Sequence, residues 1–194
     1  MPGPLALEQF DDDGLVQRTL AGDSAAFGVL VERYQGRVIA ICARITNDYD
    51  QAADLAQDAF IRAFTNLSRY QLGRSFFAWL YRIAVNGALT SRQRRGPAAV
   101  QGPLGEELLH GTADPGLSPE DLAAQHELAA TVQAAIARLP ADYAAVLALR
   151  YGADLDYAAI AATLDVPIGT VKARLFRAKA LLRPLLTGIY EEQP

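Results

Sequence analysis

The sequence of 194 residues has a single cysteine, Cys42, and only two histidines. One cysteine cannot form an internal disulfide, and the chain lacks the clustered Cys and His spacing of a zinc site. No apolar run reaches the roughly 18 residues that a membrane-spanning helix needs. The first ten residues have no basic group ahead of an apolar stretch, which argues against a secretory signal. We therefore expect a cytoplasmic protein with no membrane insertion and no metal or other cofactor.

Groups that could carry catalysis are also few. His110 and His126 are isolated, and no glycine-rich phosphate loop follows a strand. We therefore expect neither an enzyme nor a small-molecule substrate. Cys42 lies among apolar neighbours, which favours a core residue over the alternative, a redox sensor.

Charge is distributed unevenly along the chain. The net charge is −4, but residues 22–96 hold ten basic and six acidic groups, and residues 128–194 hold seven basic and six acidic. The stretch between them, 97–127, has six acidic groups and no basic one. Because phosphate binding depends on local charge, the acidic total does not exclude a nucleic-acid partner.

Apolar residues recur at steps of three and four along most of the chain, which predicts helices and no strands. Asp23 and Asp50 are candidate caps for the second and third helices. The fold class predicted is therefore all-α. The predicted helices cover residues 15–20, 23–45, 50–67, 75–95, 118–139, 141–150, 157–164 and 168–182.

Residues 96–119 lack this periodicity and are rich in glycine and proline. Such a composition is typical of an exposed linker, and a structureless loop of this length is uncommon inside a compact domain. We therefore predict two small helical domains, 1–95 and 120–194, joined by a flexible acidic linker. The alternative is one domain with a long internal loop.

The last two predicted helices have the organisation of a helix-turn-helix. Asp156 suits the cap of the first helix, Asp165 tolerates a left-handed turn, and Pro167 suits a helix start. The side chains predicted to face inward are Tyr157, Ile160, Ala161 and Leu164 in the first helix and Ile168, Val171, Leu175, Ala178 and Leu182 in the second.

The other side of the second helix is basic, with some small residues. It presents Thr170, Lys172, Ala173, Arg174, Arg177 and Lys179. Arginine and lysine bind guanine edges or phosphates, and threonine and alanine fit a thymine methyl group. The pattern predicts that this helix enters a DNA major groove. A solvated cationic surface is the alternative.

Two further surfaces lie in the first half of the chain. The segment from Ser75 to Arg95 mixes aromatic residues with arginines, a combination suited to single-stranded DNA. Trp79 itself fits the core spacing better than a base-stacking position. In the preceding helix, a polar and acidic stripe lies beside an apolar one, and by itself this indicates only a solvated surface. The stripe consists of Asp54, Gln57, Asp58 and Ile61.

Three motifs in this order resemble the extracytoplasmic-function (ECF) sigma factors of bacterial RNA polymerase. Residues 50–64 resemble sigma region 2.2, and residues 79–86 with the arginine cluster after them resemble regions 2.3 and 2.4. Residues 139–140 and 157–179 resemble region 4. The absence of a further domain between or before these motifs points to the ECF group.

This resemblance implies an alternative sigma factor that binds core RNA polymerase and directs promoter-specific transcription initiation, in a stress or envelope response controlled by an anti-sigma factor. The implied polymerase-binding residues are Asp54, Gln57, Asp58 and Ile61. Those implied for recognition and melting of the −10 element are Arg74, Arg82, Asn86, Arg92, Arg94 and Arg95. Those implied for the −35 element are Thr170, Lys172, Ala173, Arg174, Arg177 and Lys179.

Two other functions use the same motifs differently. A DNA-binding regulator that acts without polymerase would need only residues 128–186, but it leaves the region 2.2 resemblance unexplained. A sigma mimic that sequesters an anti-sigma factor would be expected to lose its basic DNA-facing residues, and this chain keeps them.

Overall fold

The computed structural model describes residues 7–95 and 118–191, except for the side chains at 119, 120, 125, 126 and 187–191. Within these ranges the regular elements are helices, with no strand, which confirms the all-α prediction. None of the described helices is long and apolar enough to cross a membrane. The α-helices are α1 (Asp12–Leu20), α2 (Ser24–Thr46), α3 (Tyr49–Thr65), α4 (Phe76–Arg95), α5 (Pro119–Ala137), α6 (Ala141–Leu147), α7 (Tyr157–Leu164) and α8 (Ile168–Glu191).

Helices α2, α3 and α4 form a three-helix bundle, and α1 packs across α2. Leu30, Ile41 and Leu80 are essentially inaccessible to solvent, and small residues such as Ala56 let the helices approach closely. These positions follow the predicted steps of three and four, so each helix buries a continuous stripe against its neighbours.

The residue that caps α3 lies two positions before the predicted one. Asn47 adopts the left-handed conformation with φ of 56° and ends α2. Asp48 then caps α3, because its Oδ1 accepts a hydrogen bond from the Gln51 amide at 3.0 Å. The prediction that Asp50 caps this helix was wrong, since Asp50 lies inside its first turn.

The second domain begins with a capping box between Ser118 and Asp121, which starts α5 as predicted. Helix α6 is shorter than predicted, because residues 148–152 form a π-helical turn. In the helix-turn-helix, the first helix has the predicted bounds and the second begins where predicted, but the second continues to Glu191 rather than ending at 182. Asp156 Oδ1 accepts from the Ala159 amide at 2.7 Å, and Asp165 is left-handed with φ of 56°.

Two residues predicted to face the core of the helix-turn-helix are exposed instead. Tyr157 is 42% exposed and Ile168 is 45% exposed. Both occupy the first position of a helix, where the side chain leans toward the N-terminus and has no preceding turn of the helix beside it. The remaining predicted inward positions are buried or half-buried.

Helices α5 to α8 form a second bundle around α8. The two bundles pack against each other, because α4 contacts α6 and α7, and α2 contacts the π-helical turn. Arg44 Nη1 donates a hydrogen bond to the Gly152 carbonyl at 3.1 Å across this boundary. The predicted linker, 96–119, lies outside the described residues except for its last two positions.

Candidate nucleic-acid interface

The outer face of α8 carries an exposed group of four side chains. Lys172, Ala173, Phe176 and Arg177 are all exposed, and their spacing places them on one side of the helix. Val171 and Leu175 are buried on the opposite side, against α6 and α7. The helix is therefore held by its apolar stripe while two cations and an aromatic ring project into solvent.

Phe176 is the functional candidate that the sequence interpretation missed. Its side chain is 76% exposed, the highest value among the large apolar residues described. It lies one turn after Lys172, which is a signal that the sequence already contained. A ring this exposed is not packed in the core, and its position between two cations makes it a candidate contact residue.

Three of the other predicted α8 residues are directed elsewhere in this structure. Arg174 Nη2 pairs with Asp142 Oδ2 at 2.7 Å and thereby ties α8 to α6. Lys179 Nζ lies 5.5 Å from the centre of the Tyr151 ring. Thr170 is half-buried. The exposed face therefore contains three of the six predicted residues: Lys172, Ala173 and Arg177.

Helix α4 presents a second polar stripe at four-residue spacing. Arg82, Asn86 and Arg94 are exposed, and Thr90 between them is exposed as well. Arg82 Nη2 lies 3.1 Å from Asp165 Oδ2 in the turn of the helix-turn-helix. Because both side chains of this pair are largely solvated, the contact adds little stability.

Arg92 and Arg95 lie on another side of α4. Arg92 is buried, and its guanidinium donates to the carbonyl oxygens of Ile45, Ala137 and Leu139 at 2.6, 2.9 and 2.5 Å. Arg95 pairs with Asp48 at 2.7 Å. The sequence interpretation placed Arg92 on the DNA, but in this structure it is not available to DNA, because its hydrogen bonds join the two bundles.

The loop from Tyr70 to Ser75 leads into α4 and is exposed from Gln71 onward, including Arg74. The Tyr70 ring packs against Trp79 with ring centres 5.5 Å apart. Trp79 is half-buried in this aromatic cluster, so its ring is largely engaged in packing. Ser75 Oγ accepts from the Ala78 amide at 3.2 Å and starts the helix.

Helix α3 carries the predicted acidic stripe on its exposed side. Asp54, Gln57, Asp58 and Ile61 are all exposed, and Ile61 is 55% exposed. Beside them, α2 and α3 enclose an apolar groove of about 520 Å³. The residues lining the groove are Phe27, Val31, Gln35, Ile39, Ala53, Ala56, Gln57, Phe60, Ile61 and Phe64. The sequence interpretation found the stripe but not the groove, because four of the ten lining residues belong to α2.

Two protein families, each corresponding to one sigma region, match the chain in the order that the sequence motifs predicted. The Sigma-70 region 2 family matches residues 30–97, and the Sigma-70 region 4 family matches residues 129–182. The first match contains α3, α4 and every residue lining the groove except Phe27, and the second contains the helix-turn-helix.

Several RNA polymerase sigma factors are similar to this protein over nearly its whole length. The RNA polymerase sigma-H factor of Pseudomonas aeruginosa is 38% identical over 193 residues, covering 96% of this chain and 99% of that protein. The ECF RNA polymerase sigma-E factor of Escherichia coli K12 is 40% identical, covering 89% and 92%. The ECF RNA polymerase sigma factor SigW of Bacillus subtilis is 34% identical, covering 90% and 96%.

Solved structures share the fold. CnrH in complex with the cytosolic domain of CnrY superimposes with a TM-score of 0.66 at 24% identity, covering 91% of this chain and 97% of CnrH. RpoE of Bartonella quintana, in complex with the anti-sigma factor NepR, gives 0.61 at 22% identity, covering 83% and 96%. On the two family matches and the near full-length relatives, the chain belongs to the sigma-70 family, within its ECF sigma factors.

Proposed function

We propose that the chain binds core RNA polymerase in the cytoplasm through α3, and places α4 on the −10 element and α8 on the −35 element of a promoter. The observation that carries this assignment is the exposed face of α8, where Lys172 and Arg177 flank the ring of Phe176. Cations at this position bind phosphates or guanine edges, and an apolar ring fits a thymine methyl group.

The polymerase contact is assigned to the α3 stripe and the groove beside it. Ile61 belongs to both, because it is exposed on the stripe and lines the groove. An apolar groove bordered by Asp54 and Asp58 suits a partner helix with an apolar stripe and basic flanks. The acidic groups then set orientation and association rate, while the groove supplies most of the buried area.

Use of both promoter elements requires the two bundles to move apart. Arg82 contacts the turn at Asp165, and Arg92 contacts the end of α5. The guanidinium of Arg82 can turn fully to a phosphate only after its contact with Asp165 is broken. The free energy of binding to polymerase therefore has to exceed the free energy of the contacts between the bundles.

We also propose control by an anti-sigma factor. The support is the shared fold with RpoE of Bartonella quintana, which was solved with the anti-sigma factor NepR. A protein recovered with this chain from its native cells should block its association with core polymerase. A recovered protein that leaves both association and transcription unchanged contradicts this part of the proposal.

The function is tested by mixing the purified chain with core RNA polymerase and fragmented genomic DNA, and mapping RNA 5′ ends against core enzyme alone. We expect discrete new start sites that share two spaced upstream elements. No new starts and no co-elution with core enzyme would contradict the proposal. Tight duplex binding without polymerase would then favour a stand-alone regulator, and binding to an anti-sigma factor alone would favour a sigma mimic.

A further inference from the structure

The loop that precedes α4 is fastened to a distant part of the chain by one carboxylate. Asp13 Oδ1 accepts a hydrogen bond from the Tyr70 hydroxyl at 2.8 Å, and Asp13 Oδ2 accepts one from the Gly73 amide at 2.6 Å. These partners are 57 and 60 residues away in sequence. The two oxygens of one side chain therefore fix both the start and the middle of the loop.

The anchor is itself mounted rigidly. Asp13 lies in the first turn of α1, and the next turn buries Leu15 and Val16 completely. The neighbouring Asp12 binds Arg33 at 2.5 Å and the Tyr34 hydroxyl at 2.6 Å, which fastens the same turn to α2. Asp13 is therefore held in position by contacts that do not involve the loop.

The loop needs such an anchor because of its own backbone. Gly73 has φ of +80°, a conformation that glycine adopts at little cost. Because glycine adopts many other conformations equally easily, the residue alone does not hold the loop in this one. The Tyr70 hydroxyl also contacts the Arg74 carbonyl oxygen, so two acceptors compete for its single proton. With Asp13 in place, the side chains of Leu72 and Arg74 project from a defined backbone into solvent.

A carboxylate beside a DNA-binding surface is unfavourable on charge alone, because it repels phosphates. Its presence here is explained by what it holds. On the proposed function, which this inference deepens, the loop faces the unstacked strand of the −10 element. We propose that Asp13 is a positioning residue for promoter melting: it holds the loop from Tyr70 to Ser75 in the shape that receives an unstacked −10 base.

The expected effect follows from the fraction of molecules with a correctly shaped loop. Without the anchor the loop samples other backbone conformations, and apparent affinity for the strand falls in proportion to the competent fraction. Losing hydrogen bonds to a charged acceptor should reduce that fraction about tenfold. Affinity for core polymerase and for −35 duplex should stay unchanged, since the hydrogen bonds that Asp13 accepts come from the loop and not from the surfaces assigned to those partners.

The test uses holoenzyme assembled from core RNA polymerase and the full chain. Binding to a single-stranded −10 oligonucleotide is measured, with promoter opening followed by a fluorescent base analogue in the −10 element. Each is measured for the native −10 sequence and for single-base changes. The variants are Asp13→Ala, Tyr70→Phe and the double variant. Asp12→Asn is the matched control, because it removes a carboxylate charge from the same turn, while an amide of the same shape can still accept a hydrogen bond from α2.

We expect Asp13→Ala to weaken strand binding about tenfold, to slow opening and to reduce discrimination among −10 bases. The double variant should lose less than the sum of the single losses, because both changes remove the same bond. Asp12→Asn should lower the melting temperature without changing base discrimination.

The inference would be overturned, with the proposed function intact, if Asp13→Ala discriminated among −10 bases as well as the unmodified chain. It would also be overturned if Asp12→Asn lost as much discrimination as Asp13→Ala. Strict additivity of the Asp13 and Tyr70 losses would also overturn it. If native holoenzyme itself shows no −10 preference, the proposed function and this inference both fail.

Discussion

Arg92 Nη2 donates a hydrogen bond to the Leu139 carbonyl at 2.5 Å, so a buried side chain of the first bundle holds the end of α5 in the second. The same nitrogen binds the Ala137 carbonyl, and Nη1 binds the Ile45 carbonyl. Carbonyls at a helix end lack intrahelical partners and carry partial negative charge, which favours a cation there. Burial lowers the pKa of Arg92, and the three acceptors offset that cost.

Arg92→Ala should therefore separate the two bundles. Removing the guanidinium leaves buried carbonyls unpaired, and each such loss costs about 1–3 kcal/mol. We expect a larger radius of gyration by small-angle X-ray scattering and a lower midpoint of thermal unfolding. Promoter-directed transcription with core enzyme should persist, because the bond that is lost belongs to the closed arrangement.

Arg94→Ala is the matched control, since this side chain is exposed on the same turn of α4. It should leave the radius of gyration unchanged while weakening promoter binding. An Arg92→Ala protein that keeps its compact size but loses promoter opening would restore the DNA-contact role predicted from the sequence.

The helices and their order could be predicted from the sequence because each helix buries an apolar stripe with its own periodicity. The first helix of the helix-turn-helix and the turn after it were confirmed, because Asp156 and Asp165 act through local backbone chemistry. The partners of Arg92 could not be predicted, because Ala137 and Leu139 meet it only after the bundles pack.

The candidate site shows the same division between local and long-range information. The exposed face of α8 follows from spacing within one helix. The apolar groove needs α2 beside α3, and the Asp13 anchor joins positions 57 and 60 residues apart. A single sequence contains no signal for such pairings, because the local residue pattern of α1 carries no information about which distant loop it will contact.

Lys172→Ala and Arg177→Ala should each weaken promoter binding by holoenzyme and reduce its dependence on salt. Each exposed cation that neutralises a phosphate releases a counterion, so losing one contact should lower the log–log salt slope by about 1. The measurement is promoter affinity at several salt concentrations on one −35 sequence.

Arg183→Ala is the comparison for this experiment, because its cation lies on the same helix two turns further along and is exposed. It should change the slope less than either variant. Equal slopes for Lys172→Ala, Arg177→Ala and the unmodified chain would show that this face of α8 is only a solvated cationic surface.

Asp58→Lys and Ile61→Asp should each reduce affinity for core polymerase without loss of helix. The first reverses a charge beside the groove, and the second introduces a carboxylate into its apolar lining. We expect the second loss to be greater, because burying an unpaired carboxylate is costly. Competition for core enzyme against the unmodified chain measures both, with circular dichroism as the check on folding.

Glu127→Lys is the charge-reversal control, because Glu127 is exposed on α5 in the second bundle. It should compete as well as the unmodified chain. Full competition by Ile61→Asp would exclude the groove from the polymerase contact.

Cys42 should be inert to thiol reagents as long as the chain is folded. Its side chain is fully buried, and burial raises the pKa of the thiol to about 12. Since the thiolate is the reactive form, almost none is present at neutral pH, and solvent cannot reach the sulfur. Labelling by a chromogenic disulfide should therefore proceed only as fast as the chain opens, and added denaturant should accelerate it. Fast labelling of the folded chain, with loss of transcription that a reductant reverses, would instead identify Cys42 as a redox sensor.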